Sequence, residues 1–408
     1  MSSTCRFCST LLTHTFCDLG MSPLSNSYIA ADELQAKEPF YPLHAWVCSE
    51  CFLVQLDEFA SPQEIFCDYA YFSSYSDSWL EHSKNYTQLM HSRLGLDASS
   101  QVVEIGSNDG YLLQYFVDAG IPVLGVEPAA NVAAVAMDKG IPTIVKFFGT
   151  ETAKEMADAG QQADLLLGNN VLAHVPDIND FVAGMAIVLK PDGVITMEFP
   201  HLLQLMQNNQ FDTIYHEHFS YLSLLSVEQI FARHGLQVFD VDELPTHGGS
   251  LRICARLAGN EPVSDNITAL RKTEAAAGLS NLDTYAAFGE KVQETKRKLL
   301  EFLVAAKRDG KRVAAYGAPA KGNTLLNYCG VRQDLVDFTV DRSPAKQDRF
   351  LPGTHIPVYA PEKVAEAKPD YLLILPWNIK DEIMAKMHHI RDWGGKFVVP
   401  IPAVEVLE

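Results

Sequence analysis

Residues 101–116 read QVVEIGSNDGYLLQYF. The apolar run over residues 102–105 predicts a strand, Gly106-Ser-Asn-Asp-Gly110 a tight turn, and the residues beyond it a helix. The order repeats downstream. PVLGVEPAA (122–130) carries a second strand ending at Glu127, ADLLLGNNVLAHVPD (163–177) a third, and VLKPDGVITMEFP (188–200) runs from a helix end through a turn into a fourth. Strands alternating with helical segments imply an α/β fold built on a parallel, doubly wound sheet. Ligands of such sheets bind at the carboxyl ends of the strands, where these polar turns fall.

The first turn separates two nucleoside ligands. A dinucleotide loop reads G-x-G-x-x-G so that a pyrophosphate can approach a helix N-terminus. This turn lacks that spacing, and Glu104 stands two residues before its first glycine. A carboxylate there repels a pyrophosphate but attracts the ammonium or sulfonium end of S-adenosylmethionine. Glu127, at the end of the next strand, is placed to accept hydrogen bonds from both hydroxyls of a ribose, a role common to both ligands. The expected cofactor is therefore S-adenosylmethionine, with Glu104, Gly106, Asn108, Gly110, Glu127, Pro128, Asn169 and Asn170 as candidate ligands. The LKPDG turn (189–193) resembles the class I methyltransferase pattern.

A chain of 408 residues exceeds one hydrophobic core, so two or three domains are expected. Its 32 Lys plus Arg against 51 Asp plus Glu leave a net charge of −19, which argues against nucleic acid or an anionic membrane as partner. The start, MSSTCRFCST, has no cationic and apolar leader pattern, and no run reaches the roughly eighteen apolar residues of a membrane span. A cytoplasmic location is expected, and no coiled-coil or GxxxG seam asks for association, so a monomer is expected too.

The 8 cysteines of an intracellular chain read as metal ligands or buried thiols. CRFC (Cys5, Cys8) and CSEC (Cys48, Cys51) are pairs of identical spacing, with Cys17 and Cys67 nearby. Each CxxC turn lets two thiolates converge on one ion, which suits tetrahedral zinc. Four thiolates leave no position for water, so such a site is architectural.

After a helical, charged stretch at 262–310, alternation returns in RVAAYGAPAKGNTLLNYCG (312–330), VDFTVDRSPAKQ (336–347), PDYLLILPWNIKDEIMAKM (369–387) and KFVVPIP (396–402). This predicts a second, smaller Rossmann-like domain. The expected organisation is a zinc-binding domain at 1–70, a cofactor-binding domain at 71–258, a helical connection at 259–310 and the second Rossmann-like domain at 311–408. The YGAPAKGNT turn (316–324) presents backbone N–H groups, a helix N-terminus and the charge of Lys321 to an anion. It lacks a Walker lysine–serine pair, so ATP hydrolysis is not indicated.

TIYHEHFSYLS (213–223) packs Tyr215, His216, Glu217, His218 and Tyr221 into seven consecutive positions. Strand-like alternation would send Tyr215, Glu217 and Phe219 to one side and His216 and His218 to the other. HGGSLR (247–252) reads as a turn entering a strand, its paired glycines permitting close approach of a ligand.

Together, the double CxxC, EIGSNDG, NNVLAHVPD, YHEHFSYLS, HGGSLR and YGAPAKGNT resemble the sugar C-methyltransferases that act on nucleotide-linked 4-keto-deoxysugars. The resemblance runs along essentially the whole chain. It implies transfer of a methyl group from S-adenosylmethionine to a ring carbon, C-3, of a thymidine-diphosphate-linked 4-keto-6-deoxysugar through an enolate. A carbon beside a ketone becomes nucleophilic once a base removes its proton, and histidine suits that task near neutral pH. The resemblance makes His218 the base, with His216 second in rank, and Glu217 and Tyr215 the groups that orient it or bind the sugar. Tyr215 or a neighbouring donor would stabilise the enolate oxygen.

By the same resemblance Asn170 and His174 line the active site, and a tyrosine among Tyr69, Tyr71 and Tyr75 closes it, with Tyr75 taken as catalytic and Tyr71 as a substrate contact. His216, His247, Gly248 and Arg252 are the further sugar-binding candidates, and Gly317, Lys321, Gly322 and Asn323 those for the nucleotide diphosphate. O- or N-methylation of a small molecule, or nucleotide-sugar binding without catalysis, are the competing readings. The first leaves the dense YHEH cluster and the second nucleotide domain unexplained; the second predicts tight binding with no turnover and an intact function in His218→Asn.

Overall fold

The computed structural model describes residues 3–59, 61, 73–259 and 262–408. The chain begins as an antiparallel meander of β1 (His14–Ser22), β2 (Tyr41–Val47) and β3 (Val54–Leu56). It then enters the helix Asp77–Leu94. Ser76 starts that helix by accepting from the Trp79 amide at 3.3 Å, and Gly95 ends it in the left-handed conformation at φ 63°.

The central sheet is built from β4 (Val102–Ile105), β5 (Val123–Val126), β6 (Thr143–Ile144), β7 (Ala163–Asn169) and β8 (Leu189–Pro200), all parallel. Next in the chain come β9 (Ser220–Tyr221), β10 (Leu236–Leu244) and β11 (Ser250–Leu257). The order across the sheet is β10-β11-β8-β7-β4-β5-β6. The expected parallel sheet therefore gains two strands at one edge: β11, the strand after HGG, runs antiparallel to the rest, and β10 pairs antiparallel with it on the outside. Strand order reverses between β4 and β7, so the GSNDG turn and the NNVLAHV loop flank the crevice where such sheets bind ligands.

β9 leaves this sheet and pairs with β3 of the meander, Tyr221 opposite Val54 and Ser220 opposite Gln55. The YHEHF segment is thereby drawn onto the cysteine-bearing region.

The helix Phe288–Arg308 buries Val292, Thr295, Leu299, Leu303 and Ala306, a three-and-four spacing that makes one apolar stripe. Phe288 stacks on Phe16 of β1 with ring centroids 4.7 Å apart, which joins the connecting helix to the meander. The last sheet has the order β14-β13-β12-β15-β16-β17, from β12 (Val313–Tyr316), β13 (Thr339–Val340), β14 (Val358–Tyr359), β15 (Tyr371–Ile374), β16 (Lys396–Val399) and β17 (Glu405–Leu407). All its pairings are parallel except that of β17. Its order reverses between β12 and β15, beside the YGAPAKGNT turn. Among the described residues no helix is long and apolar enough to cross a membrane.

Candidate active site

Gly106 and Gly110 both take positive φ, 68° and 75°. A Cβ on Gly110 would stand 2.3 Å from Ile141 Cδ1, so the turn closes only with glycine. Glu104 beneath it is fully buried, and neither carboxylate oxygen has a well-formed hydrogen bond within the chain. Burial drives its carboxyl well above the ordinary range, with the Tyr111 hydroxyl opposing. Ser107 Oγ and Asn170 Oδ1 are likewise buried without partners, and Asn169 Nδ2 has only the Tyr111 hydroxyl near it, in poor geometry. Buried polar atoms are normally satisfied, so this set marks a place where a polar ligand belongs. An acidic group among them fits the cationic end of S-adenosylmethionine.

Glu127 accepts the amides of Asn108 at 3.0 Å and Ala129 at 2.9 Å, and Pro128 leads into the helix Ala130–Asp138. Its two oxygens keep further lone pairs for a ribose. The Asn108 side chain accepts from the Ser73 amide at 2.9 Å, fastening the turn to the segment before the helix Asp77–Leu94.

Residues 215–218 form a turn closed by the His218 amide donating to the Tyr215 carbonyl at 2.9 Å. The expected alternation fails for that reason: Tyr215 and His218 come to the same side, and the Tyr215 hydroxyl lies 2.8 Å from His218 Nε2. His218 Nδ1 donates to the Thr213 carbonyl at 2.9 Å, which fixes Nε2 as the acceptor. The His174 ring meets His218 edge-on, centroids 4.6 Å apart. Burial pulls both imidazoles down: His174 to about 4, and His218 well below its ordinary value, where the charge His174 would carry lowers it further.

Glu217 and His216 point elsewhere. Glu217 accepts from Asn26 Nδ2 at 2.6 Å, and burial lifts its carboxyl to about 7. His216 Nε2 donates to the Pro42 carbonyl at 3.2 Å and its ring meets Tyr41 edge-on, so this histidine belongs to the face against β2.

Asn170, in the left-handed region at φ 56°, donates from Nδ2 to His247 Nε2 at 2.8 Å. His247 is held in turn by the edge of Trp79. Arg252, expected on the substrate, is 3% exposed and pairs at 2.8 Å with Glu198, directly opposite on β8. Its guanidinium also covers the Tyr86 ring. Glu198 further accepts from His82 Nε2 and Thr246 Oγ1, both at 2.9 Å, and so braces the turn that carries His247. Tyr75 is 70% exposed. Tyr69, Tyr71 and Cys67 lie outside the described residues.

The last sheet reaches the same place. A Cβ on Gly317 would stand 2.5 Å from Pro376 Cδ, and one on Gly322 3.0 Å from Leu375 Cβ, so both glycines seat the YGAPAKGNT turn against residues 375–376. Gly248 comes so close to Trp377 that a Cβ would sit 2.7 Å from its ring. The Trp377 indole donates to the buried Asp212 at 2.7 Å, three residues before Tyr215. Lys321 lies over the Trp377 ring at 4.2 Å and bonds Asn378, its amine lowered to about 8 by burial against the opposing charge of Asp212. Asn323, expected on the diphosphate, instead donates to the Ser25 carbonyl, and Thr324 donates to the Ile214 carbonyl at 3.0 Å.

The thiols of Cys5, Cys8, Cys48 and Cys51 all lie within 4.8 Å of one another, the closest pairs at 3.4 to 3.7 Å. Four bonds of about 2.3 Å to a tetrahedral zinc put sulfurs about 3.8 Å apart, so the cluster fits that ion.

Residues 5–66 match a zinc binding domain family, 79–241 a methyltransferase domain, and 245–402 the C-methyltransferase C-terminal domain. The C-methyltransferase NovU of Streptomyces niveus is 37% identical over 404 residues, 99% of this chain and 96% of that one. An ubiquinone biosynthesis O-methyltransferase of Bartonella bacilliformis is 29% identical over 99 residues, 24% of this chain and 40% of its own. A solved structure of magnesium protoporphyrin IX methyltransferase from Synechocystis covers 44% of this chain and 83% of its own, at 14% identity and a TM-score of 0.36.

Proposed function

The chain belongs to the C-methyltransferases, S-adenosylmethionine-dependent enzymes with a structural zinc site, and from that premise we propose that it methylates C-3 of a thymidine-diphosphate-linked 4-keto-6-deoxysugar. The Tyr215–His218 contact beside the cofactor crevice carries this reading. Bound S-adenosylmethionine supplies an electrophilic methyl group, held by Glu104 at its cationic end and Glu127 at its ribose.

His218 is the base. Its Nδ1 proton is committed to Thr213, and its depressed pKa keeps Nε2 unprotonated at neutral pH. Substrate entry frees the Nε2 lone pair from the Tyr215 hydroxyl, and His218 removes the proton beside the ketone. Tyr215, released, donates to the developing enolate oxygen, where a preorganised donor is worth most. Asn170 and His247 complete the polar wall, each fixing the other. Tyr69, Tyr71 and Tyr75 remain the candidates for closing it.

The diphosphate belongs beside Lys321, Gly317 and Gly322, at the reversal point of the last sheet. Asn323 is already committed to Ser25 and is withdrawn from that set. The test is to supply ¹³C-methyl donor with a panel of nucleotide-linked keto- and hydroxy-sugars and locate the label by NMR. A methyl carbon bonded to C-3 of the 4-keto-6-deoxysugar supports the reading; a methyl on oxygen or nitrogen overturns it.

A further inference from the structure

Arg6 stands between the zinc cysteines Cys5 and Cys8, and its guanidinium reaches the two segments that carry His174 and His218. Its Nη1 donates to the Pro176 carbonyl at 2.6 Å, two residues beyond His174. Its Nη2 donates to the Leu56 carbonyl, and the amide of the same Leu56 donates to the Phe219 carbonyl at 3.0 Å, one residue beyond His218. The guanidinium also lies 5.3 Å from the centroid of the Phe219 ring.

The backbone of the knuckle is fastened to the same two segments. Asn179, on the helix Ile178–Val188 that follows the His174 loop, donates to the carbonyls of Arg6 and Phe7, each at 3.0 Å. Gln55, opposite Ser220 in register, accepts from the Arg6 amide at 2.8 Å and donates to Cys5 Sγ at 3.2 Å.

We infer that Arg6 is a positioning residue, through which the zinc knuckle sets the separation and ring angle of His174 and His218. The inference rests on the reading that His218 removes the substrate proton with the His174 ring standing against it. A planar fork with two diverging donors and an aromatic-facing plane can span one carbonyl on each side, which a lysine ammonium cannot reproduce. With zinc bound, the residues flanking Arg6 are fixed by metal–thiolate bonds, so the guanidinium starts from a rigid base. Small displacements of a catalytic group carry large rate penalties.

The test compares the full-length, zinc-loaded protein with Arg6→Gln and Arg6→Lys. Zinc content is read with a colorimetric chelator, imidazole ¹⁵N signals by NMR with His174→Gln and His218→Asn for assignment, and methyl transfer by steady-state kinetics. Both variants are expected to keep their zinc. The His174 and His218 signals shift together while the exposed His388 stays fixed. In Arg6→Gln, kcat falls about 10- to 100-fold with the KM for S-adenosylmethionine changed less than about twofold, and Arg6→Lys recovers part of the loss. Unmoved imidazole signals with zinc retained overturn the inference. Loss of zinc from both variants overturns it as well, by assigning Arg6 to metal retention. If the wild type fails to methylate any sugar, the proposed function falls, and the imidazole signals still decide the role of Arg6.

Discussion

The Tyr215 hydroxyl lies 2.8 Å from Nε2 of His218, across a turn that strand-like alternation would have forbidden. This contact pairs a donor with the lone pair that must take the proton, and the His174 ring meets that of His218 edge-on. Everything around the pair restricts its movement: Thr213 on the far nitrogen of His218, Thr324 on the Ile214 carbonyl, and Trp377 on Asp212.

The depressed pKa of His218 fixes the direction of its pH dependence. Burial is the main cause and the charge of His174 adds to it, so His218 stays unprotonated until the pH falls well below 6.5. The acid limb of kcat/KM should therefore lie below the ordinary histidine range. Removing the like charge raises the His218 pKa, so His174→Gln is expected to move that limb to higher pH. The check is kcat/KM against pH for both proteins.

Glu104 has no partner of good geometry within the chain and burial disfavours its charge, so a bound cation is what would hold it as a carboxylate. Glu104→Gln keeps shape and removes the charge. The affinity for S-adenosylmethionine is expected to fall by about 2 kcal/mol or more, roughly 30-fold, as read by titration calorimetry. The fold should remain intact in the thermal melt.

Glu217 is 6% exposed and its carboxyl is raised from 4.5 to about 7 by burial. The folded state therefore binds a proton that the unfolded chain releases, and stability is lost as pH rises from about 4.5 through 7. Glu217→Gln keeps an acceptor for Asn26 and has no proton to lose. The variant is expected to gain on the wild type between pH 5 and pH 8 by up to about 3 kcal/mol, measured by urea unfolding at both values.

What was legible in the sequence is local. The strand, glycine turn and helix at 101–116 depend on neighbours a few residues apart, and each CxxC pair converges by its own turn. The failures are contacts across distance. Nothing in SY at 220–221 announces pairing with β3, and no glycine or proline flags the 215–218 turn. Arg252 reads as a ligand of the substrate until β11 is known to run antiparallel to β8, which sets it opposite Glu198. Asn323 reads as a diphosphate donor until the Ser25 carbonyl takes its amide. Asp212, Trp377 and the Trp79–His82 pair of the helix Asp77–Leu94 come to the site from three separate stretches, and neither spacing nor periodicity brings those stretches together.

The central claim is that His218 makes an enolate whose carbon takes the methyl group. The most direct measurement is mass spectrometry of thymidine-diphosphate-4-keto-6-deoxysugar incubated in heavy water with S-adenosylmethionine and either the wild type or His218→Asn. The wild type is expected to add one methyl at carbon and to wash deuterium into the position beside the ketone in unmethylated substrate, and His218→Asn to do neither. Undiminished exchange in His218→Asn would contradict the assignment of the base, and methylation without any exchange at carbon, on oxygen or nitrogen, would contradict the chemistry itself.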